Sequence, residues 1–125
     1  LDVKLKYIDQ ENQARRVIAK RFISEIKNPK IILPENPADE KEHVWHVFVI
    51  RCEDRDNLQK FLTEKGIQTI IHYPIAPHQQ EAYSELNHLS FPITEKMHQE
   101  VLSLPISSVL TEGEVKEIIN CVNEF

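Results

Sequence analysis

Between residues 9 and 27 the chain carries neither Gly nor Pro, and Ala14, Ile18, Phe22 and Ile26 recur every four positions with Val17 and Ile23 beside them. That period gathers the apolar side chains into one stripe and predicts an amphipathic helix over Asp9–Lys27. Asn28-Pro29 ends it, because the residue before proline is pushed out of the helical region and proline has no N–H to continue the ladder. Ile31-Ile32-Leu33 then reads as a short strand stopped by Pro34. A polar loop from Glu35 to Glu42 leads into Val44-Trp45-His46-Val47-Phe48-Val49-Ile50, which is β-branched and aromatic on both alternating faces. Such a run belongs to a strand covered on two sides, by helices or by a second domain.

Asp54 or Asp56 can cap the next helix, whose buried stripe is Leu58, Phe61 and Leu62 and whose left-handed stop is Gly66. Ile67 to Ile71 returns as a strand. The following His72-Tyr73-Pro74-Ile75-Ala76-Pro77-His78 cannot be regular, since two prolines fix the backbone and remove donors; it is an ordered loop at a strand end. Short helices are expected over His78–Leu86 and Thr94–Leu102, with Ile93, Met97 and Val101 at spacing four along the second. Leu104-Pro105-Ile106 reads as extended. Thr111-Glu112-Gly113-Glu114 matches a capping box, and Val115, Ile118, Ile119 and Val122 mark the last helix at i, i+3, i+4, i+7. The sum is an α+β fold with a roughly three-stranded sheet covered by helices, in one domain over residues 1–125.

Composition narrows the function classes. With 41% hydrophobic and 28% charged residues in 125, there is material for a single core. A net charge of -5 argues against a nucleic-acid surface, which needs clustered cations; the strongest basic group, Arg15, Arg16, Lys20 and Arg21, has the helical spacing of a solvated face. Cys52 and Cys121 are the only cysteines, so free thiols in a reducing cytoplasm are expected. No apolar run approaches membrane-helix length, and the start, Leu1-Asp2-Val3-Lys4-Leu5-Lys6, lacks the apolar core of a signal peptide. The absence of Met at Leu1 fits a fragment or a processed chain.

Six histidines raise a metal reading, but a strand puts His43 and His46 on opposite faces and no Cys or carboxylate completes a set; structural or solvent-facing histidines are the expectation. Neither cysteine lies in a cationic niche suited to a nucleophile, and both read as small buried hydrophobes. Only Gly66 and Gly113 exist, and neither belongs to a phosphate-cradling loop. What remains is the loop from His72 to His78, where titratable and aromatic groups sit on a rigid turn. It suits a binding rim, but the residues alone favour a proline-stiffened loop whose Tyr and His cover a sheet edge.

These residues together resemble a known family. The helix Asn12-x-x-Arg15/Arg16-x-x-Ala19, the strand His43-Val44-Trp45-His46-Val47-Phe48-Val49-Ile50-Arg51, the turn Glu64-Lys65-Gly66-Ile67, the loop His72-Tyr73-Pro74-Ile75 and the segment Leu102-Ser103-Leu104-Pro105-Ile106 are similar to the C-terminal small domain of the DegT/DnrJ/EryC1/StrS sugar aminotransferases. The most specific stretch, Gly66 to Tyr83, resembles the branch acting on dTDP-linked 3-keto-6-deoxyhexoses. The resemblance implies the mainly antiparallel small domain of a fold-type I enzyme. It also implies a large domain whose lysine binds pyridoxal phosphate, glutamate as amino donor, a homodimer, and a nucleotide-sugar substrate in amino-sugar or lipopolysaccharide biosynthesis.

The large-domain segment with the cofactor-linking lysine, the pyridine-nitrogen carboxylate and the phosphate-binding residues has no counterpart in these 125 residues. No catalytic, cofactor-binding or metal-binding residue is therefore assigned, and the chain alone is expected to hold no cofactor and to be inactive. His72 is the foremost candidate for a substrate hydrogen bond, with Tyr73 stacking or bonding beside it, His78 a further substrate-binding candidate, and Arg51 facing an anionic group or a surface carboxylate. Two other classes remain open: a freestanding non-catalytic binding or regulatory module, and an interaction module with no small ligand. The strand apolar on both faces suggests a surface that meets a partner, so the chain alone is expected to expose apolar patches.

Overall fold

The structure, a computed structural model, describes residues 2–125; the reading of Leu1 lies outside the described residues. A short α1 (Asp2–Leu5) precedes α2 (Ile8–Glu25), which buries Ile18, Ala19 and Phe22 while Val17 stays half exposed. The helix stops at Ile26, whose N–H still donates to the Phe22 carbonyl. Beyond it, the N–H groups of Lys27 and Asn28 both donate to Asn123 Oδ1, at 2.6 and 3.2 Å, and Asn28 Nδ2 donates to the Val122 carbonyl at 2.8 Å. The end of α2 is thus tied to the C-terminal helix through otherwise unsatisfied backbone groups.

The sheet has two strands, β1 (Phe48–Arg51) and β2 (Val101–Leu104), antiparallel with Phe48 opposite Leu104 and Arg51 opposite Val101. Phe48, Ile50, Leu102 and Leu104 project to one face and are almost wholly buried with Phe22, Leu58, Leu62 and Val122. The expected third strand is not formed. Ile32 makes a single bridge to Arg51 on one edge and Ile70 a single bridge to Ser103 on the other. Pro34 stops the first from lengthening, and the second turns away at Tyr73, whose φ is +55°. The α+β architecture holds, with two ladder strands flanked by one bridge on each side.

Three further expectations change in detail. Of the long apolar run, only Phe48–Ile50 is strand: Trp45 has φ +50°, and the His43 ring, tilted 50° against Trp45 with centroids 4.1 Å apart, takes the Trp45 N–H on Nδ1 at 2.9 Å. The helix expected over Thr94–Leu102 is α4 (Pro92–Glu100), and Val101 and Leu102 belong to β2. Ile93 and Met97 are therefore exposed rather than buried. The segment after the second loop forms 3-10 turns at Pro77–Gln79 and Glu81–Leu86, the second broken at Tyr83.

The helices α3 (Arg55–Glu64) and α5 (Glu112–Glu124) complete the cover. Thr111 and Glu114 form the expected capping box. Asp54 takes the N-cap position of α3 without a side-chain bond to the helix amides; its carboxylate accepts from Asn57 Nδ2. Gly66 ends α3 with φ +81°, and no atom lies within 4 Å of where a Cβ would sit. Gly66→Ala is thus expected to lose about 1–2 kcal/mol from left-handed backbone alone, with no steric addition; a urea titration checks this, and a neutral result would show that the turn can relax.

Candidate functional site

A groove of about 900 Å³ runs from the end of α3 across β2 to the first half of α5, with His46, Lys65, Thr69, His72 and Ser103 in its walls. His72 lies just past the Ile70 bridge, which delivers its ring to β2, and its Nδ1 is 2.9 Å from Ser103 Oγ. Tyr73 follows in left-handed backbone with its side chain 77% exposed, and His98 Nδ1–H donates to its carbonyl. A non-glycine residue in that region costs about 1–3 kcal/mol, and such strain concentrates at binding loops.

His78 faces inward and Arg51 is partly buried. His78 is buried, edge-on to Phe91, with Nε2 3.0 Å from Glu95 Oε1. The same oxygen accepts the Phe91 N–H at 2.7 Å, and chiefly that bond holds the Glu95 carboxyl below its ordinary range. Arg51 Nε and Nη2 reach Glu100 Oε2 at 3.0 and 2.7 Å, so the carboxylate it meets is a buried one. Burial pushes Glu100 upward, but the Arg51 guanidinium and the Lys96 ammonium outweigh it and leave the carboxyl below the usual range.

Each of the four candidates is held by one partner from a single stretch: Glu95 for His78, His98 for the Tyr73 carbonyl, Glu100 for Arg51 and Ser103 for His72. The structure puts His72 in the groove wall with Tyr73 next to it in an exposed turn, while His78 and Arg51 do not line the groove. Sequence reasoning missed the four partners. Glu95, His98 and Glu100 carried no assignment, and Ser103 figured only within the family-like segment Leu102–Ile106.

Glu95, Glu100 and Glu114 all titrate below the ordinary carboxylate value of 4.5, Glu114 through the Thr111 N–H first and then its hydroxyl. A depressed folded-state value adds stability above the unfolded pKa that is lost as pH falls through the folded one. The domain is therefore expected to keep its stability from neutrality to about pH 4.5 and to lose it steeply below. Glu100→Gln should flatten that acid limb in a pH series of urea melts, and an unchanged limb would contradict the assignment.

Other candidate chemistries find no support in the geometry. Among the described residues no three of His, Cys, Asp and Glu converge as a metal would need, and no helix is long and apolar enough to cross a membrane. Cys52 and Cys121 are free and buried, and burial pushes both thiols up, away from nucleophilic use. The basic group on α2 is largely neutralised: Arg15 pairs with Glu11, Lys20 with Glu40 and Arg21 with Glu25. All ten lysines are exposed, and Lys65, the one in the groove wall, bonds Glu124 at 3.1 Å. None sits in the enclosed pocket that a Schiff-base lysine requires. Apolar side chains do stand in solvent, with Phe91, Ile93 and Met97 exposed at α4, Tyr73 and Ile75 in the loop, and Ile70 at the sheet edge.

Comparison with known proteins agrees with this architecture. The chain is 51% identical, over all of its length and 34% of the relative's, to the dTDP-3-amino-3,6-dideoxy-alpha-D-galactopyranose transaminase of Aneurinibacillus thermoaerophilus. Its structure superposes with a TM-score of 0.90 on Streptomyces venezuelae DesV in complex with a ketimine intermediate, at 34% identity, covering 98% of this chain and 34% of that one. Against Bacillus subtilis NtdA with bound cofactor PMP the TM-score is 0.84, at 32% identity over 95% of this chain and 29% of that one. The chain thus spans about a third of the length of the curated relatives it matches. Residues 1–123 match the model of one family, and the chain belongs to it: the DegT/DnrJ/EryC1/StrS aminotransferases.

Proposed function

We propose that this chain is the small domain of a pyridoxal phosphate-dependent aminotransferase that moves an amino group, from glutamate, onto a dTDP-linked keto-deoxyhexose. The observation that carries the reading is the His72-Tyr73 turn: His72 lines the groove, Tyr73 follows it exposed and in left-handed backbone, and β2 and α4 hold the two through Ser103 and His98. The name of the Aneurinibacillus relative, at 51% identity, supports the sugar class. His72 hydrogen-bonds the sugar nucleotide, Tyr73 stacks or bonds beside it, and His78 and Arg51 hold the loop and sheet edge in place through Glu95 and Glu100. When bound to the rest of the enzyme, the cofactor supplies the electron sink for moving the amino group. This chain's own part is to wall the site, orient the sugar and exclude water.

The cofactor-linking lysine lies on a large domain outside these residues, so the chain alone neither binds pyridoxal phosphate covalently nor transaminates. The exposed Phe91, Ile93, Met97 and Ile70 are surfaces for that domain or for the second subunit of a cytoplasmic homodimer. Expressed alone, the chain is expected to self-associate through them; a single monomeric species in sedimentation at high concentration would argue against this.

The test is a pair of assays. The full-length protein with pyridoxal phosphate, glutamate and a dTDP-3-keto-6-deoxyhexose is expected to form the amino sugar, and the 125-residue chain to show neither product nor the absorbance band of lysine-bound cofactor. No product from the full-length protein, or such a band in the chain alone, would overturn the reading.

A further inference from the structure

We infer that Ser103 is a positioning residue that fixes the tautomer of His72, so that the ring offers Nε2–H as a donor to an acceptor oxygen of the ligand. The inference rests on the proposed role of His72 at the nucleotide-sugar site and goes beyond it by naming the atom that acts and the group that sets it.

Ser103 is a buried polar residue between two buried leucines on β2, with Val49 opposite it on one side and Ile70 on the other. Its N–H donates to the Ile70 carbonyl at 2.9 Å and its carbonyl accepts the Ile70 N–H at 3.2 Å, so both backbone groups are used and the direction of its Cβ is fixed from two sides. Only the hydroxyl is left, and among the described residues its one partner is His72 Nδ1 at 2.9 Å.

The direction of that bond follows from accounting. If Nδ1–H donated to the hydroxyl, the hydroxyl hydrogen, on a residue only 7% exposed, would have no acceptor among the described residues, an arrangement that native structures disfavour. If the hydroxyl donates to Nδ1, nothing is orphaned. The neutral ring then carries its proton on Nε2, which has no protein partner among the described residues while the ring lines the groove. The tautomer of a histidine is set in this way by the bond its other nitrogen makes. Nε2–H can therefore meet a carbonyl, hydroxyl or phosphoryl oxygen, and it would reject a ligand that presents only a donor there.

The experiment uses the full-length protein with 15N-labelled histidine, at a pH where the ring is neutral. His72 is expected to show an unprotonated Nδ1 and a protonated Nε2. Ser103→Ala should move the two nitrogens toward the averaged shifts of an unconstrained imidazole, and Ser103→Thr, which keeps the hydroxyl, should restore them; Ser103→Cys replaces Thr if melting shows that the extra methyl overfills the site. In kinetics Ser103→Ala is expected to raise KM for the keto-sugar by about three- to tenfold, with kcat within about twofold. It should add nothing in a His72→Ala background. A protonated Nδ1 in the parent protein, or an equal effect of Ser103→Ala with and without His72, would overturn the inference. Unchanged kinetics in His72→Ala would instead remove His72 from the site and overturn the role on which the inference rests, even where the tautomer is as expected.

Discussion

Phe22→Ala is expected to cost about 3–5 kcal/mol, a large part of the roughly 5–15 kcal/mol that holds a domain of this size folded. Phe22 is fully buried on α2 and meets Phe48 of β1 edge to face, with centroids 5.0 Å apart; Phe48 in turn lies 5.4 Å from Trp45. The pair is the contact through which the longest helix grips the sheet. Removing one ring deletes its transfer free energy and leaves a cavity walled by a β-strand that is hydrogen-bonded on both edges and cannot collapse inward. Urea titration of the variant beside Phe22→Leu, which keeps most of the volume, is the measurement; a loss below about 1 kcal/mol for the alanine variant would mean that α2 is not anchored through this ring.

The second large effect is expected at Arg51. Breaking a buried ion pair by removing one partner costs about 3–5 kcal/mol because the other charge is left without compensation. Here the figure is reduced to about 2–3 kcal/mol: the Arg51 side chain is 32% exposed, so solvent screens part of its contribution, and Lys96 remains 3.4 Å from Glu100 Oε1. Glu100 itself is only 5% exposed and carries the penalty. Arg51→Lys should recover less than half of the loss, since one ammonium cannot reproduce two bonds to the same oxygen. The deficit should shrink below pH 4.5 as Glu100 protonates. A stability loss in Arg51→Ala that is independent of pH would contradict this account.

How much of this could be read beforehand depended on how local the cause was. Signals carried by neighbours in sequence were legible: the four-residue apolar period of α2, the Thr111 capping box and the left-handed stop at Gly66 all appear as expected. The end of α4 was not, because Ile93, Met97 and Val101 keep helical spacing although Val101 already belongs to a strand and none of the three joins the core. Their period records a surface that faces away from this domain's core, and periodicity cannot tell which partner an apolar stripe is meant for. The break at Trp45 was hidden for a similar reason, since a side-chain bond from His43 overrides the strand propensity of its neighbours.

The candidate site divides along the same line. His72 and Tyr73 stood out because two prolines forbid regular structure around them, and the structure sets His72 in a groove wall with Tyr73 exposed beside it. Glu95, His98, Glu100 and Ser103 lie 17 to 49 positions from the residues they hold. Nothing in their local spacing announces such a partner. Arg51 and His78 were recognisable as functional chemistry in a loop and at a strand end, but their carboxylate partners, the buried Glu100 and the partly buried Glu95, were not.

The most direct test of the central claim, that this chain supplies a wall of the nucleotide-sugar site, is steady-state kinetics of His72→Ala in the full-length enzyme with its keto-sugar. The account predicts a fall in kcat/KM of about tenfold or more, for one lost hydrogen bond together with the disorder of the ring that made it, with folding and the spectrum of bound cofactor unchanged. Kinetic constants equal to those of the unaltered enzyme would contradict it.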